Sequence, residues 1–413
     1  GISTVEFLWG LGLPLVLEST FLQLFLSKLG ASNLIIGFVP TFFFIGQALL
    51  GVFAAFYTRN LDKHRTAVIV FHLIPSLTIL FFSAYLYITG VFLPSTIYVF
   101  FTVYIIFNGG IGLTLPVWQN YVVKLFNDKQ VMPAFAVMMI LQSAGRLLSS
   151  FFIAGFFSTR DITAETSATM FLLCGVLFFA GSFGFLMTRE PENTDNQTQS
   201  KTGFFNFIKN IYKELLSNRN LRTFLFSEVE TYAVITAISF YANYAVGVRG
   251  VSEAAAAGIF VGLNYTGQIV SNVIFGTLDF FSYRNKCIIS RLCSTAGIVT
   301  IIFAGNTAGF LAASVLLGAS RAVRSLVYAP VIRLLSGKSD ITSHFAAAAI
   351  MLLPISTGIP LICGKLLDSL PLEAAVSYRI IFALLAAISL FSITFIRRVS
   401  FSSTAGRAAS AEG

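Results

Sequence analysis

The sequence REPENTDNQTQSK, from Arg189 to Lys201, is the only long hydrophilic stretch between the apolar segments of this 413-residue chain. A helix needs about 20 apolar residues to cross the hydrocarbon core of a membrane. Six such segments precede the hydrophilic stretch, at residues 4–28, 33–57, 67–90, 95–123, 132–158 and 166–188. Six more follow it, at residues 221–247, 254–278, 287–304, 308–334, 342–366 and 374–396. The sequence therefore predicts twelve membrane spans, six on each side of a linker.

The composition of the chain also places it in a lipid bilayer. Hydrophobic residues make up 56% of the sequence and charged residues only 11%, whereas a typical soluble domain carries about 25% charged residues. The mean hydropathy of +0.82 agrees with this assignment. These values exclude an ordinary soluble enzyme, and we predict that the protein is not an enzyme.

The positive charges are distributed unequally between the predicted loops. Of the 27 Lys and Arg residues, 19 fall in loops on one side of the membrane and five in loops on the other. Cytoplasmic loops of membrane proteins carry the excess of positive charge. Both termini and the linker are therefore predicted to be cytoplasmic. The net charge of +9 reflects this topology, and no nucleic-acid partner is expected.

The domain organisation follows from the same pattern. We predict an N-terminal six-helix bundle over residues 1–188, a cytoplasmic linker over 189–220, a C-terminal six-helix bundle over 221–398, and a tail over 399–413 that is disordered or foreign to the natural chain. One helical face of the linker carries Phe204, Phe205, Ile208, Ile211, Tyr212 and Leu215. Lys209 and Lys213 lie on another face, which is typical of an amphipathic helix in the membrane interface.

The two halves repeat short sequences at matched positions. Gly30-Ala-Ser-Asn after the first span matches Gly250-Val-Ser-Glu after the seventh. Gly51 is followed eight residues later by Arg59, and Gly276 eight residues later by Arg284. Internal repeats of this kind are typical of transporters. We interpret the halves as copies of one six-helix unit.

With twelve spans, two halves, cytoplasmic termini and a basic loop that recurs after spans two and eight, the chain resembles the major facilitator superfamily of secondary transporters. The resemblance implies an all-α integral membrane protein with two pseudo-symmetric six-helix bundles. It also implies that spans one, four, seven and ten line a central cavity. The segment Leu115-Pro-Val-Trp118 is similar to poorly characterised bacterial permeases of the superfamily.

The same resemblance implies gating loops after spans two and eight. The signature of the superfamily is a glycine, an acid four residues later, a second glycine, and an arginine eight residues after the first. Arg59 and Arg284 match the arginine, with Gly51 and Gly276 as the first glycines. Asp279 lies one residue before the acid position of the second loop, whereas Ala55 occupies that position in the first loop.

Ionisable residues inside the spans are candidates for proton coupling, because each costs about 2.5–3.5 kcal/mol at mid-bilayer. Glu18 lies near the centre of span one, where an apolar site favours its neutral form and lets it load and release protons. A permanent ion pair with Arg146 is the alternative. In span seven, Glu228 and Glu230 lie about 200° apart on a continuous helix, so only one is expected to face the cavity and assist Glu18. Pairing with Arg222 is the alternative for these two.

Cations inside the spans favour a negatively charged substrate. Arg321 and Arg324 share a helical face with Tyr328 in span ten. Arg146 in span five has Gln142 on its face and adds a third cation. Arginine binds carboxylate and phosphate in bidentate fashion, so these residues are candidates for binding an organic anion. The alternative to substrate binding is that these arginines pair with the intramembrane glutamates. Spans six, nine and twelve are predicted to contain no charged residue in their interiors.

A polar stripe runs along span eight. Asn264, Gln268 and Asn272 recur every four residues and therefore lie on one helical face. This stripe is predicted to line the substrate cavity. Hydrogen bonding between helices is the alternative.

We predict a secondary active transporter that moves a small organic anion by alternating access with proton coupling. A proton-driven exporter of lipophilic drugs is the main alternative, and a lipid scramblase or non-transporting receptor is a more distant one. No cofactor is expected, because Gly337-Lys-Ser339 has Ile332 where a phosphate-binding loop needs its first glycine. No metal is expected either, because the sequence has neither a His-x-x-x-His pair nor a Cys-x-x-Cys spacing. The expected partners are the solute, protons and membrane lipids. We expect a monomer in a bacterial inner membrane.

Overall fold

The computed structural model describes residues 1–17, 20–58, 61, 63–125, 128–190, 203–278, 281–337 and 342–401. Every regular element within these ranges is a helix. The chain forms two compact units: the first comprises Gly1–Lys201 with Ser239–Gly262, and the second Thr202–Ile238 with Leu263–Gly413. The second half of predicted span seven and the start of span eight thus belong to the first unit. The domain boundaries given above remain predictions.

Eight α-helices lie before the linker in the part of the chain that the structure describes. They are α1 (Ile2–Val16), α2 (Thr20–Lys28), α3 (Asn33–Ile45), α4 (Gly51–Thr58), α5 (Arg65–Thr89), α6 (Thr96–Leu125), α7 (Asp128–Phe157) and α8 (Ala164–Phe183). A π-helical segment, Gly46–Leu50, joins α3 to α4, and a 3-10 turn, Gly184–Met187, extends α8. Local chemistry sets several ends: a capping box at Thr163 begins α8, and Gly90, with φ of 65°, ends α5.

Among the described residues, eight more α-helices follow the linker. They are α9 (Phe204–Ser217), α10 (Arg219–Ser227), α11 (Val229–Gly247), α12 (Phe260–Asn272), α13 (Tyr283–Phe303), α14 (Thr307–Ser336), α15 (Thr342–Ser369) and α16 (Ala374–Arg398). The π-helical segments Ala255–Ile259 and Val273–Thr277 flank α12. Asn218 caps α10 by accepting a hydrogen bond from the Leu221 amide, and Asn306 caps α14 in the same way through Gly309.

Ten helical segments among the described residues are long and apolar enough to cross a membrane. They correspond to ten of the twelve predicted spans. Predicted span seven is divided into α10 and α11, and span eight consists of α12 and its two π-helical flanks. Both regions are helical but interrupted, and the all-helical twelve-span architecture is consistent with the structure.

The two units repeat one contact at the start of equivalent helices. Arg65, the first residue of α5, donates from its guanidinium to the carbonyl of Thr188, which follows α8. Arg284, the second residue of α13, donates likewise to the carbonyl of Val399, which follows α16. In each unit an arginine thus ties the start of the third span to the end of the sixth. This repetition supports the pseudo-symmetry of the two halves.

Phenylalanine rings form the core of the first unit. The ring of Phe25 in α2 lies 6.0 Å from Phe82, 5.7 Å from Phe100 and 5.5 Å from Phe171, measured between centroids. These partners come from α5, α6 and α8, and all four side chains are buried. Tilted and edge-to-face ring pairs of this kind add to the packing energy of buried aromatic groups. Part of the high phenylalanine content of the chain, 44 residues, therefore serves packing.

Glycines allow close helix contact at the two places that matter for the site. A Cβ on Gly10 of α1 would lie 2.3 Å from the carbonyl oxygen of Gln142 in α7. A Cβ on Gly318 of α14 would lie 1.9 Å from the carbonyl oxygen of Asn264 in α12. Small residues let backbones approach in membrane helices. These contacts bring the polar side chains of each helix pair within hydrogen-bonding distance.

Candidate substrate and coupling site

Glu228 lies at a break in the helix of predicted span seven. Helix α10 ends at Ser227 and α11 begins at Val229, so Glu228 forms the turn between them. Its side chain is 1% exposed. Oε1 accepts a hydrogen bond from Arg291 Nη2 at 3.0 Å, and Oε2 accepts one from Arg324 Nε at 2.7 Å. A buried carboxylate needs such partners, and Glu228 has two guanidinium groups. The alternative partner suggested by the sequence, Arg222, donates instead to the carbonyl of Leu216.

Arg291 is the residue that the sequence analysis missed. It was counted among the loop cations, and span nine was predicted to have no charge in its interior. Both expectations are wrong, because Arg291 lies inside α13 with 0% exposure. Besides Glu228, its guanidinium donates to the carbonyl oxygens of Cys287 and Ser227, both at 3.2 Å. The feature of the sequence that indicated a place within the span was its position inside the apolar run 287–304.

Arg324 and Tyr328 contact each other on one face of α14. The Arg324 guanidinium lies over the Tyr328 ring, 4.0 Å from its centroid. The ring of Tyr328 in turn packs against Phe345, with centroids 5.2 Å apart. Arg324 is therefore held from two sides, by the Glu228 carboxylate and by the tyrosine ring. Its role in substrate binding stays a prediction.

Glu230 is buried in the same unit, with 1% exposure. Its Oε1 accepts a hydrogen bond from the Ser320 hydroxyl at 2.8 Å. Glu228 and Glu230 thus both contact α14, the first through Arg324 and the second through Ser320. The separation of about 200° applies to a continuous helix, whereas α10 ends at Ser227 and α11 begins at Val229. Which of the two glutamates faces the cavity stays a prediction. We refer to Glu228, Glu230, Arg291 and Arg324 as the charge cluster.

The charge cluster has one unused acceptor and one unused donor. Within the part of the chain that the structure describes, Glu230 Oε2 and Arg291 Nε are buried atoms without a hydrogen-bond partner. Buried polar atoms without partners are uncommon and costly, about 1–3 kcal/mol each. One carboxylate oxygen of Glu230 is therefore the least satisfied acceptor among the four residues.

One member of the predicted polar stripe, Asn264, contacts Arg321, and a second member, Gln268, contacts Asn264. Asn264 Oδ1 accepts hydrogen bonds from Gln268 Nε2 at 2.8 Å and from Arg321 Nη1 at 3.4 Å. Its Nδ2 donates to the carbonyl of Ser314 at 3.3 Å. Asn272 is exposed at the end of α12. The stripe therefore contributes Asn264 and Gln268 to a group of polar side chains beside α14.

A second polar group lies in the first unit, between α1 and α7. Glu6 is 4% exposed and accepts a hydrogen bond from Gln142 Nε2 at 2.6 Å. The oxygen of the same amide accepts a hydrogen bond from Arg146 Nη2 at 2.5 Å. Two predicted residues, Gln142 and Arg146, are thus joined to a glutamate that was not predicted as a site residue. We refer to Glu6, Gln142 and Arg146 as the amide-bridged group.

Some predicted residues cannot be placed. Glu18, Arg59 and Asp279 lie outside the described residues. Of the remaining gating residues, Gly51 is buried in α4, and a Cβ added there would lie 3.5 Å from the carbonyl oxygen of Gly112. Gly276 lies in a π-helical segment. Gating by these loops stays a prediction.

The helices and the charges buried between them define a multi-pass integral membrane protein. The sequence profile of the Major Facilitator Superfamily matches residues 11–339, most of the chain. The chain belongs to the Major Facilitator Superfamily and has the fold of its transporters. Compared with curated protein sequences, the chain matches none.

Solved structures of three transporters share this fold. The nucleoside transporter NupG is 13% identical, with a TM-score of 0.70 and coverage of 96% of this chain and 98% of the other. A POT family transporter in complex with 5-aminolevulinic acid is 12% identical, with a TM-score of 0.72 and coverage of 97% and 96%. The fucose:proton symporter FucP of E. coli is 14% identical, with a TM-score of 0.63 and coverage of 96% and 97%. At these identities the similarity shows the fold alone.

Proposed function

We propose that the protein carries a small organic anion together with protons, and that Glu230 is a proton-carrying group. The observation that carries the proposal is the charge cluster, in which two buried carboxylates and the buried guanidinium of Arg291 lie with the partly exposed guanidinium of Arg324. The similarity to a fucose:proton symporter is compatible with proton coupling. We further propose alternating access in a bacterial inner membrane, with both termini cytoplasmic.

Glu230 is a better proton carrier than Glu228. Both oxygens of Glu228 are held by arginines, at 3.0 and 2.7 Å. Protonation of Glu228 would weaken two charge-assisted hydrogen bonds, which are about twice as strong as neutral ones. Glu230 accepts only one hydrogen bond, from a neutral hydroxyl, within the described part of the chain. A proton on Glu230 Oε2 therefore breaks no observed hydrogen bond.

The charge balance of the cluster links the proton to an anion. With both glutamates ionised, two negative charges offset two positive charges. When Glu230 takes up a proton, the cluster gains one net positive charge in a site of low dielectric constant, where uncompensated charge is expensive. A substrate carboxylate or phosphate supplies the missing negative charge. Proton uptake and anion binding then favour each other, which is the requirement for co-transport.

Arg146 and Arg321 are the proposed substrate contacts. In each unit the arginine bonds to a side-chain amide, Gln142 in the first and Asn264 in the second. An amide oxygen carries only a partial negative charge, so replacing it with a substrate carboxylate or phosphate places a full negative charge opposite each arginine. Gln268 belongs to the same proposed site through its bond to Asn264. Glu18 remains the proposed coupling residue of span one.

Reconstitution into liposomes with an entrapped pH dye tests the proposal. A panel of organic anions and cationic drugs is added outside, and proton movement is recorded for the wild type, for Glu230→Gln and for Glu18→Gln. We expect several anions to drive proton movement in the wild type. Glu230→Gln should abolish that movement while retaining exchange of labelled anion across the membrane, because the glutamine cannot release a proton.

The matched control is Glu373→Gln, which makes the same change at an exposed glutamate before α16 in the second unit. It should transport as the wild type does. Proton movement with cationic drugs alone would replace the anion proposal with the exporter. Proton movement that persists unchanged in Glu230→Gln would remove this residue from the coupling mechanism.

A further inference from the structure

An open pocket of about 890 Å³ lies in the second unit between the start of α10 and the end of α16. Its lining includes the polar side chains of Arg219, Asn220 and Arg398 and the apolar side chains of Phe226 and Phe395. None of the described residues that line the pocket is acidic. The pocket is separate from the charge cluster and plays no part in the proposed transport mechanism.

We propose that this pocket binds the phosphate group of an anionic membrane phospholipid. Arg219 is the first residue of α10 and Arg398 the last residue of α16, and both side chains are exposed. Arginine is the preferred partner of phosphate, because its planar fork of donors matches the phosphate oxygens. Two guanidinium groups on one pocket therefore supply the charge for a phosphodiester.

The two phenylalanines of the lining favour a phospholipid over a soluble phosphate as the ligand. Phe226 is 39% exposed and Phe395 is half-buried. On α16, the neighbouring side chains of Leu390 and Phe391 are 51% and 61% exposed, as expected for a helix face in contact with acyl chains. A phospholipid offers a phosphate and an apolar chain side by side. The phosphate matches the two arginines of the lining, and the apolar chain matches the two phenylalanines. A free phosphate would leave the phenylalanines unused.

The pocket lies at a depth in the membrane where phospholipid headgroups are expected. The start of α10 and the end of α16 are the predicted cytoplasmic ends of spans seven and twelve, where the asymmetry of Lys and Arg places the inner leaflet. Basic pockets between helices on this side are suited to anionic headgroups. The pocket is also built by tertiary contacts, since Asn220 Oδ1 accepts a hydrogen bond from the Ser400 amide at 3.4 Å. It therefore depends on the folded unit and not on one surface helix.

Native mass spectrometry of the full chain tests the site. The protein is released from micelles containing equal amounts of phosphatidylglycerol and phosphatidylcholine, and the retained lipids are counted. We expect phosphatidylglycerol to be retained preferentially. The double variant Arg219→Gln/Arg398→Gln should retain it about 10- to 30-fold less, since each basic residue near the membrane surface is worth about 1 kcal/mol.

The matched control removes two other exposed arginines of the second unit, Arg379 and Arg397, by substitution with glutamine. Neither lines the pocket, so retention should be as in the wild type. Equal retention of both lipids by the wild type, or equal losses in the two double variants, would overturn the proposal.

A second arm separates the lipid from soluble phosphate. Inorganic phosphate is added in excess, and Phe226→Ala is measured beside the wild type. For a lipid site, excess phosphate should displace little phosphatidylglycerol, and Phe226→Ala should reduce its retention without changing the arginines. Complete displacement by phosphate, together with unchanged retention in Phe226→Ala, would identify a soluble-phosphate site and overturn the lipid assignment.

Discussion

The two units hold their buried glutamates in different ways. In the second unit the carboxylate of Glu228 contacts two guanidinium groups directly, at 3.0 and 2.7 Å. In the first unit the carboxylate of Glu6 contacts the amide of Gln142, and that amide contacts Arg146. The same kinds of side chain are thus joined directly in one unit and through a neutral bridge in the other.

This difference has consequences for how easily each group rearranges. A direct buried ion pair is costly to break, because removal of one partner leaves an uncompensated charge in a medium of low dielectric constant. An amide bridge offers a donor on one side and an acceptor on the other, and each of its bonds is individually weaker. We therefore expect the charge cluster to act mainly as a rigid support with one adjustable oxygen, on Glu230. The amide-bridged group is expected to rearrange more readily.

The largest effect is expected from Arg291→Met. The substitution keeps an apolar stem of similar length but removes the donor to Glu228 and the two bonds to backbone carbonyls. We expect the free energy of unfolding to fall by about 3–5 kcal/mol. Denaturant titration in detergent micelles, followed by tryptophan fluorescence, measures this value.

Restoring the charge balance controls for a simple packing defect. The double variant Glu228→Gln/Arg291→Met removes one charge of each sign and should recover part of the loss. Arg379→Met, at an exposed arginine of α16, should be neutral. If Arg291→Met is no more destabilising than Arg379→Met, Arg291 does not support the cluster as described.

A smaller effect is expected from Gln142→Leu in the first unit. The leucine has a similar volume but cannot bond to either Glu6 or Arg146. Loss of hydrogen bonds to charged groups costs about 1.5–3 kcal/mol, and the same denaturant titration measures it. Gln142→Glu is a useful companion, because it keeps the acceptor for Arg146 but places a second carboxylate beside Glu6. A loss larger than that of Arg291→Met would reverse the ranking of the two units.

The sequence predicted the architecture well because length and composition suffice for it. A run of about 20 apolar residues has few alternatives to a membrane helix, so ten predicted spans appear as single long helical regions. Spacing also predicted local neighbours within one helix. Arg324 lies over Tyr328 and Gln268 bonds to Asn264, as a separation of four residues implies.

Contacts between different helices could not be predicted in this way. Arg291 was assigned to a loop because it lies near one end of its apolar run, and nothing in the sequence indicates that Glu228 reaches it from 63 residues away. The break at Glu228 has no proline or glycine beside it to mark it. Spacing along span one likewise does not indicate that Glu6 meets Gln142 of α7. In each case the partner comes from tertiary packing, which periodicity within one helix does not specify.

Adding a methyl group at one close helix contact in each unit compares the packing of the two units. Gly318→Ala would place its Cβ 1.9 Å from the Asn264 carbonyl oxygen, and Gly10→Ala would place its Cβ 2.3 Å from the Gln142 carbonyl oxygen. The helices must move apart in both cases, at a cost of about 1–3 kcal/mol. We expect the loss to be larger for Gly318→Ala in a thermal-shift assay.

The controls for this comparison are Gly155→Ala in α7 and Gly358→Ala in α15, where an added Cβ meets no described atom within 4 Å. Both should be neutral or slightly stabilising, because alanine favours the helix by about 1 kcal/mol over glycine. Losses at Gly155 or Gly358 that equal those at Gly10 and Gly318 would show that close approach is not the cause.

The smallest effect is expected at Tyr328, whose ring lies under the Arg324 guanidinium. Tyr328→Leu removes the cation–π contact and should cost about 0.5–1 kcal/mol beyond the change in packing. Tyr328→Phe keeps an aromatic face and should retain most of that energy. The contact matters for the comparison of the two units because it holds the Arg324 guanidinium toward Glu228. With Arg324 bound to Glu228, Glu230 is the carboxylate of the charge cluster that can change its partners. If Tyr328→Leu leaves both stability and coupled transport as in Tyr328→Phe, Arg324 is positioned by Glu228 alone, and the direct ion pair carries the whole difference between the units.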